Sequence, residues 1–374
     1  MSASRLKIGW LYPVNRPCGI AYYARKYVAA LQEMVELEHV DLDELAGDWC
    51  ASCARLNRCD IVHIQYETAF FLNKRKDWFP RLCRHIRRPL VVSLHEIYRR
   101  HPNVFAREDL PGRGAILALR RALYDYRHPY QTALAKHIRN NFYADLVLVH
   151  AQCQKDILIE KQADPECIAI IPYPVKRRST KAGPRFNGNE PIRLVSTGFI
   201  NKNFNYALLF EVLERLHFPW QFVWIGGVRL DEDAAVLQEL HRKITRNKWQ
   251  DKFSITGFLA PCDPKNISLM DRAHIYLSLF SARSSSESLA TALGAGKLII
   301  ATRLPFIQEM VDRFPALVPV EPDAGQVATM INRLTDDRPL RNRTFQAVDD
   351  YCAAFSSVQM SRVLCTHYAR LAAS

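Results

Sequence analysis

Apolar residues recur along this chain with two alternating periods. Short apolar runs bounded by glycine, proline or small polar residues read as buried strands. Between them, apolar positions return every three to four residues, as on one face of a helix. In the first half the pattern predicts strands at Lys7–Tyr12, Ile61–Ile64, Leu90–Leu94, Leu146–His150 and Ile170–Val175. Helices are predicted at Ile20–Leu31, Ala115–Asn140 and Gln152–Lys161. Residues 176–191 are polar, with glycine and proline and no period, and read as a linker. The second half restarts with strand Ile192–Phe199, helix Tyr206–Leu216, strand Phe222–Gly227, helix Asp233–Asn247, strand Phe253–Phe258 and helix Asp263–Arg272. Helices at Ala324–Asp336, Asn342–Phe355 and Val358–Ala373 end it.

Alternating strands and helices imply parallel sheets with crossover helices. The expected fold class is therefore α/β, with two doubly wound, Rossmann-like domains. The first is expected over 1–180 and the second over 190–350, with a C-terminal helix in 351–374 packing back on the first. A cleft between the two domains is the expected ligand site.

The stretch from Ala273 to Val311 is the most informative. A buried strand with Ile275, Leu277 and Leu279 runs into a hydroxyl-rich loop with Ser284, Ser285 and Ser286. A helix follows with small residues at Ala292, Gly294, Ala295 and Gly296, then a second strand with Leu298, Ile299 and Ile300. A helix start has unpaired N–H groups and a partial positive charge, so it suits an anion or a polyol. Such a start at the carboxyl end of a buried strand is where α/β sheets bind nucleotides.

Composition narrows the class. The 374 residues are 48% hydrophobic and 24% charged, ordinary for a soluble globular protein. No apolar run approaches the roughly 20 residues of a membrane span. The N-terminus runs straight into a strand without a signal-peptide pattern, and the ten cysteines are scattered, so a cytoplasmic protein with reduced thiols is expected. Cys50, Cys53 and Cys59 include a CxxC pair, but no second pair follows at metal-site spacing, and plain thiols are the expectation.

The net charge of +13 is uneven, because residues 74–139 hold 16 Lys/Arg against 5 Asp/Glu, a net of +11. Within it, 77–88 has helical spacing, with Trp78, Leu82 and Ile86 on one face and Arg81, Arg84 and Arg88 on another. Two readings stand: a packed helix with a solvated arginine face, or an interfacial helix on anionic lipid at the inner membrane face. Without a helix-turn-helix, finger or RNP pattern, nucleic acid is not an expected partner.

Six segments, in order along nearly the whole chain, resemble the GT-B glycosyltransferases of glycosyltransferase family 4. They are the glycine loop and helix of Cys18–Leu31, then Asp60–Phe71, Val91–Glu96 and Ala144–Leu158, and in the second half Leu194–Lys202 and Leu293–Val311. The resemblance implies a GT-B fold and retaining transfer of a hexose from a nucleotide diphosphate sugar to an acceptor hydroxyl, in polysaccharide or glycolipid synthesis. The acceptor is then a saccharide or a lipid-linked group on the first domain. It implies no cofactor, the nucleotide sugar being a substrate, and no metal is expected because no pair of acidic ligands stands out.

The resemblance also places residues. His95, ending a strand, would lie near the donor sugar and the reacting centre. The two glutamates that flank the family's helix start fall at Arg283 and Thr291, with Glu287 midway, and the usual lysine falls at Phe204, with Lys202 two places earlier. Glu309 matches a carboxylate of the pattern.

A diphosphate leaving group needs N–H groups and cations. Gly19 could bring a helix start to the phosphate, and Lys202 and Arg283 are the candidate cations. The remaining donor-site candidates are Gly198, Gly226, Gly257, Phe258, Ser286, Glu287, Ser288 and Thr291. Because two carboxylates are replaced, two alternatives stay open: a binding protein of this fold without catalysis, and a sugar-nucleotide epimerase.

Overall fold

The computed structural model describes residues 5–73, 75–99, 112, 114–178 and 190–373. Most of the segment read as a linker lies outside the described residues. The chain divides into two compact units, one holding the chain up to Tyr173 and again from Ser357, the other Pro174–Ser356.

The first unit is built on six parallel strands: β1 (Lys7–Tyr12), β2 (Glu36–Asp41), β3 (Ile61–Tyr66), β4 (Leu90–Leu94), β5 (Leu146–Val149) and β6 (Ile168–Ile170). Their order is β2-β1-β3-β4-β5-β6. Strands β3, β4 and β5 are buried throughout, as expected where helices cover both faces of a parallel sheet. Strand β2 has no counterpart in the predicted pattern. Its sequence, ELEHVD, is polar because it forms an edge, where charged side chains are tolerated. Lys7 Nζ lies 2.7 Å from Glu36, and Arg55 Nε donates to Glu38 at 2.7 Å.

The second unit repeats the plan with β7 (Ile192–Thr197), β8 (Trp220–Ile225), β9 (Phe253–Ile255), β10 (Ile275–Ser278), β11 (Leu298–Thr302) and β12 (Val318–Val320). Their order is β9-β8-β7-β10-β11-β12, again all parallel. One large aromatic and aliphatic core lies against this sheet, with Trp220, Phe222, Trp224 and Trp249 in it.

Three expectations need correction. The helix predicted over 115–140 is two helices, Gly114–Arg127 and Pro129–Arg139. Pro129 cannot donate an N–H and disfavours helical geometry at His128, which is non-helical at φ −125°. The strand predicted over 170–175 runs instead from Ile168 to Ile170, with Pro172 and Pro174 beyond it, and Val175 makes an isolated bridge to Ser356. The basic helix is only Phe79–His85, so Ile86 and Arg88 lie past its end. The last helix, Ser357–Ala373, packs on Gly19–Leu31 within the first unit. Among the described residues, no helix is long and apolar enough to cross a membrane.

Candidate functional site

In the second sheet, β7 and β10 are neighbours in space but not in sequence. The strand order reverses there, and the loops leaving the carboxyl ends of the two strands bound a crevice. These loops are stitched together: Asn205 N–H donates to Leu279 O at 2.8 Å, and Ser281 N–H to Asn203 O at 2.8 Å. Phe204 pairs with Phe280 between them and packs edge-on against Trp224 at 4.7 Å. Phe204, which the resemblance aligns with a lysine, is therefore a core residue in this chain. The nearby cation, Lys202, is exposed. Burial raises the Asp233 carboxyl, and the Lys202 charge partly offsets this.

Hydroxyl groups line the other side of this crevice. Thr197 Oγ1 and the buried Tyr276 OH are 3.3 Å apart, and Tyr276 also bonds Ser288. Ser288 Oγ lies 3.0 Å from Ser286 Oγ. Ser286 caps helix Glu287–Gly294, its oxygen accepting from Leu289 N–H at 3.2 Å. Thr291 Oγ1 donates to Glu287 Oε1 at 3.2 Å. One turn of helix thus sets the Glu287 carboxylate against the Thr291 hydroxyl. Arg283 lies over the Phe280 ring, its guanidinium carbon 4.6 Å from the ring centre. Burial pushes the Tyr206 and Tyr276 phenols up, and the Arg283 charge partly opposes it.

A glycine rim continues this edge. Gly198, Gly226 and Gly257 follow β7, β8 and β9 with φ of 119°, 155° and 73°. At Gly226 a Cβ would collide with the Gly198 carbonyl oxygen, so only glycine lets these two turns close. Trp224 Nε1–H donates to that same carbonyl at 2.9 Å. Phe199 and Phe258 stack beside the rim with centroids 5.8 Å apart and planes within 11°. Arg229 lies 5.5 Å from the Phe199 ring centre, and Phe258 is 43% exposed. Glu309 lies on helix Pro305–Arg313, which follows β11.

The first unit has a different polar cluster. Gly19 opens helix Gly19–Leu31, whose N-cap, Cys18, makes no side-chain cap bond and whose first turn holds no acidic residue. The amides there have no capping side chain. Gly19 is not among the described glycines with left-handed backbone.

His95 follows β4 and is buried. Its Nε2 lies 3.0 Å from the Gln65 amide, and its Nδ1 lies 3.1 Å from Tyr173 OH and 3.3 Å from His150 Nε2. His150 Nδ1 donates to Ile171 O at 2.9 Å. The Gln65 amide also lies 3.2 Å from His63 Nε2, and His63 Nδ1 lies 2.6 Å from Tyr368 OH on the last helix.

The Gln65 carbonyl oxygen only accepts, so His95 Nε2–H donates to it and His95 Nδ1 accepts from Tyr173 OH. Gln65 Nε2–H donates to His63 Nε2, which also lies 2.7 Å from Ser93 Oγ, and His63 Nδ1–H donates to Tyr368 OH. His150 carries its proton on Nδ1. Burial lowers the His63 pKa to about 3 and the His150 pKa to about 4. His95 falls well below its ordinary value through burial, aided by the His150 and His63 charges. Both ring nitrogens of His95 face protein partners, so its place is that of a neutral internal hydrogen-bonding group.

Of the predicted residues, the second unit brings Arg283, Ser286, Glu287, Ser288 and Thr291 together around one helix start. Gly198, Lys202, Gly226, Gly257 and Phe258 line the adjoining strand ends. Thr197, Phe199 and Tyr276 belong to this edge and were not singled out from sequence. Among the described residues, no group of three or more His, Cys, Asp or Glu side chains is placed to hold a metal ion.

No protein-family model matches the chain, and no curated protein matches it. Solved structures do. HepE from Anabaena, in complex with UDP-glucose, aligns over 98% of this chain and 100% of its own at a TM-score of 0.68 and 15% identity. Sucrose-phosphate synthase from Thermosynechococcus elongatus aligns over 99% and 100% at 0.70 and 14% identity. The lipopolysaccharide outer core galactosyltransferase WaaB, in its apo form, aligns over 96% and 97% at 0.59 and 12% identity. With two six-stranded parallel sheets that follow such structures from end to end, the chain has the GT-B fold.

Proposed function

We propose that the protein transfers a hexose from a nucleoside diphosphate sugar to an acceptor hydroxyl. The observation that carries this is the crevice where the order of the second sheet reverses. There a cation (Arg283), a carboxylate (Glu287) and hydroxyls surround one helix start, next to an exposed aromatic face. Arg283 and Lys202 take the diphosphate, Glu287 with Thr291 takes donor hydroxyls, and the Phe258 face takes the base. Similarity to a structure holding UDP-glucose supports a nucleotide sugar as the first ligand to try.

In the reaction, the bond from the anomeric carbon to the β-phosphate oxygen breaks. A bond from the same carbon to the acceptor oxygen forms, and the acceptor proton passes to the departing phosphate. The retaining outcome rests on the family resemblance. With no protein nucleophile identified, the leaving phosphate directs attack from its own face. The protein's part is to stabilise charge on that phosphate with Arg283, Lys202 and helix N–H groups. The acceptor is an anionic saccharide or lipid-linked phosphate held by the first unit, whose 74–139 segment carries +11.

Calorimetric titration with UDP-glucose and other nucleoside diphosphate hexoses tests the reading, followed by a transfer assay. Saturable binding that Arg283→Ala weakens supports it. Binding without transfer to any acceptor favours the non-catalytic alternative, which the Arg283 and Thr291 replacements motivate. Conversion of the sugar without acceptor favours the epimerase.

A further inference from the structure

Helix Gly114–Arg127 is apolar on two sides, and among the described residues one side is packed and the other is exposed. Its one buried residue is Tyr124, and the half-buried Leu117 lies two turns before it on the same line. Ile116, Leu119, Leu123 and Tyr126 form a second line on another side, spaced three, four and three residues apart. They are 64%, 72%, 46% and 64% exposed. Tyr130, at the start of the next helix, is 53% exposed. Single exposed apolar side chains are normal, but a stripe of four large ones on one helix marks a contact surface.

The charges around the stripe identify what it contacts. Arg120 and Arg127, two turns apart, run along one border of it. The Arg75 guanidinium carbon lies 3.2 Å from the centre of the Tyr126 ring. An apolar stripe bordered by arginines is the pattern of a helix lying in the plane of a membrane interface. A second copy of the chain fits less well, since a two-fold contact would set one +11 segment against another. The basic helix first read as interfacial is already engaged. Its Phe79 and Leu82 are buried, Arg81 lies over Trp49 at 5.0 Å, and beyond its end Arg88 Nε donates to Asn57 O at 2.9 Å.

We propose that helix Gly114–Arg127 docks the protein on an anionic lipid bilayer. Ile116, Leu119, Leu123 and Tyr126 sit at the level of the acyl-chain boundary, and Arg75, Arg120 and Arg127 meet lipid phosphates. This adds a surface to the function proposed above, but its test needs no turnover, so either idea can fail alone.

The test is flotation of the full chain with phosphatidylcholine vesicles, with and without phosphatidylglycerol. The chain is expected to float with the anionic vesicles and to be released by salt. Leu119→Glu with Leu123→Glu is expected to cut the bound fraction about tenfold or more. Arg120→Gln with Arg127→Gln is expected to cut it several-fold. Arg81→Gln with Arg84→Gln should cut it less than Arg120→Gln with Arg127→Gln. Unaltered nucleotide-sugar binding and circular dichroism in the Leu119/Leu123 variant would show that its fold is intact. No flotation with anionic vesicles overturns the proposal. So does flotation indifferent to the Leu119/Leu123 change, or loss of a dimer, instead of lipid binding, in that variant.

Discussion

The two units share a sheet plan but carry opposite polar chemistry beside it. In the first, three imidazoles, an amide and a phenol are buried and bonded to one another, and the helix start at Gly19 has no capping side chain. In the second, Ser286 caps the helix start that follows β10 and Glu287 sits in its first turn. Arg283 stands over Phe280 in the loop just before it. A helix start that carries its own carboxylate attracts a further anion less, because the macrodipole is partly answered. In the function proposed above, phosphate recognition in the second unit is therefore assigned mainly to Arg283 and Lys202, and carbohydrate hydroxyls to Glu287. Two six-stranded parallel sheets of different strand order thus hold an internally satisfied polar core in one unit and a charged rim in the other.

Acid gives the largest separation of the two. The folded pKa values of His63 and His150, about 3 and about 4, lie below the ordinary 6.5, so the unfolded chain binds more protons as pH falls through 6.5. Stability of the first unit is then lost below about pH 6.5 and continues to fall toward pH 4. The loss approaches about 1.4 kcal/mol per pH unit for each imidazole that stays neutral. In the second unit, burial lowers Lys297 from 10.5 to about 8, so its unfavourable contribution develops as pH falls from about 10.5 to 8 and is constant below. Hydrogen exchange followed for each unit, corrected for intrinsic pH dependence, checks this. An equally stable first unit at pH 5 and pH 7 contradicts the neutral-imidazole network.

Arg283→Ala should weaken nucleoside diphosphate sugar binding by about 2–3 kcal/mol, roughly 30–150-fold, because a charged hydrogen-bonding partner of the phosphates is lost. Calorimetry measures it, and no change would return the role to the helix start. Phe258→Ala should cost about 1–3 kcal/mol in nucleotide affinity if a base stacks there, with little effect on stability. A loss confined to stability would make the Phe199–Phe258 pair structural. The smallest effect is Ser286→Ala, expected to cost about 1 kcal/mol in urea unfolding through the lost cap. Cys18→Ala lacks any such cap term at the other helix start.

The parts of this comparison differ in how far sequence reveals them. Interior strands such as Leu90–Leu94 and Leu298–Thr302 are legible because burial on both faces forces continuous apolar runs. The edge strand Glu36–Asp41 is not, since nothing at an edge requires apolar residues. The second-unit site is largely legible because loop and helix are contiguous from Ser281 to Gly294. Tyr276 escapes notice as one more buried residue of a strand, although its hydroxyl joins Thr197 to Ser288. The imidazole chain is hidden for another reason. His63 and Tyr368 are 305 residues apart, and only the return of the last helix to the first unit joins them. Single polar residues inside apolar strands, such as His63, Gln65 and Ser93, are the one local signal of it.

The central claim is that the second unit binds a nucleoside diphosphate sugar through its charged rim. Titration of the intact protein with UDP-glucose, GDP-mannose and ADP-glucose, side by side with Arg283→Ala, tests it most directly. The account predicts that at least one of them binds saturably to the native chain and much more weakly to the variant. Saturable binding that the variant leaves unchanged, or no binding of any of the three at millimolar concentration, would contradict it.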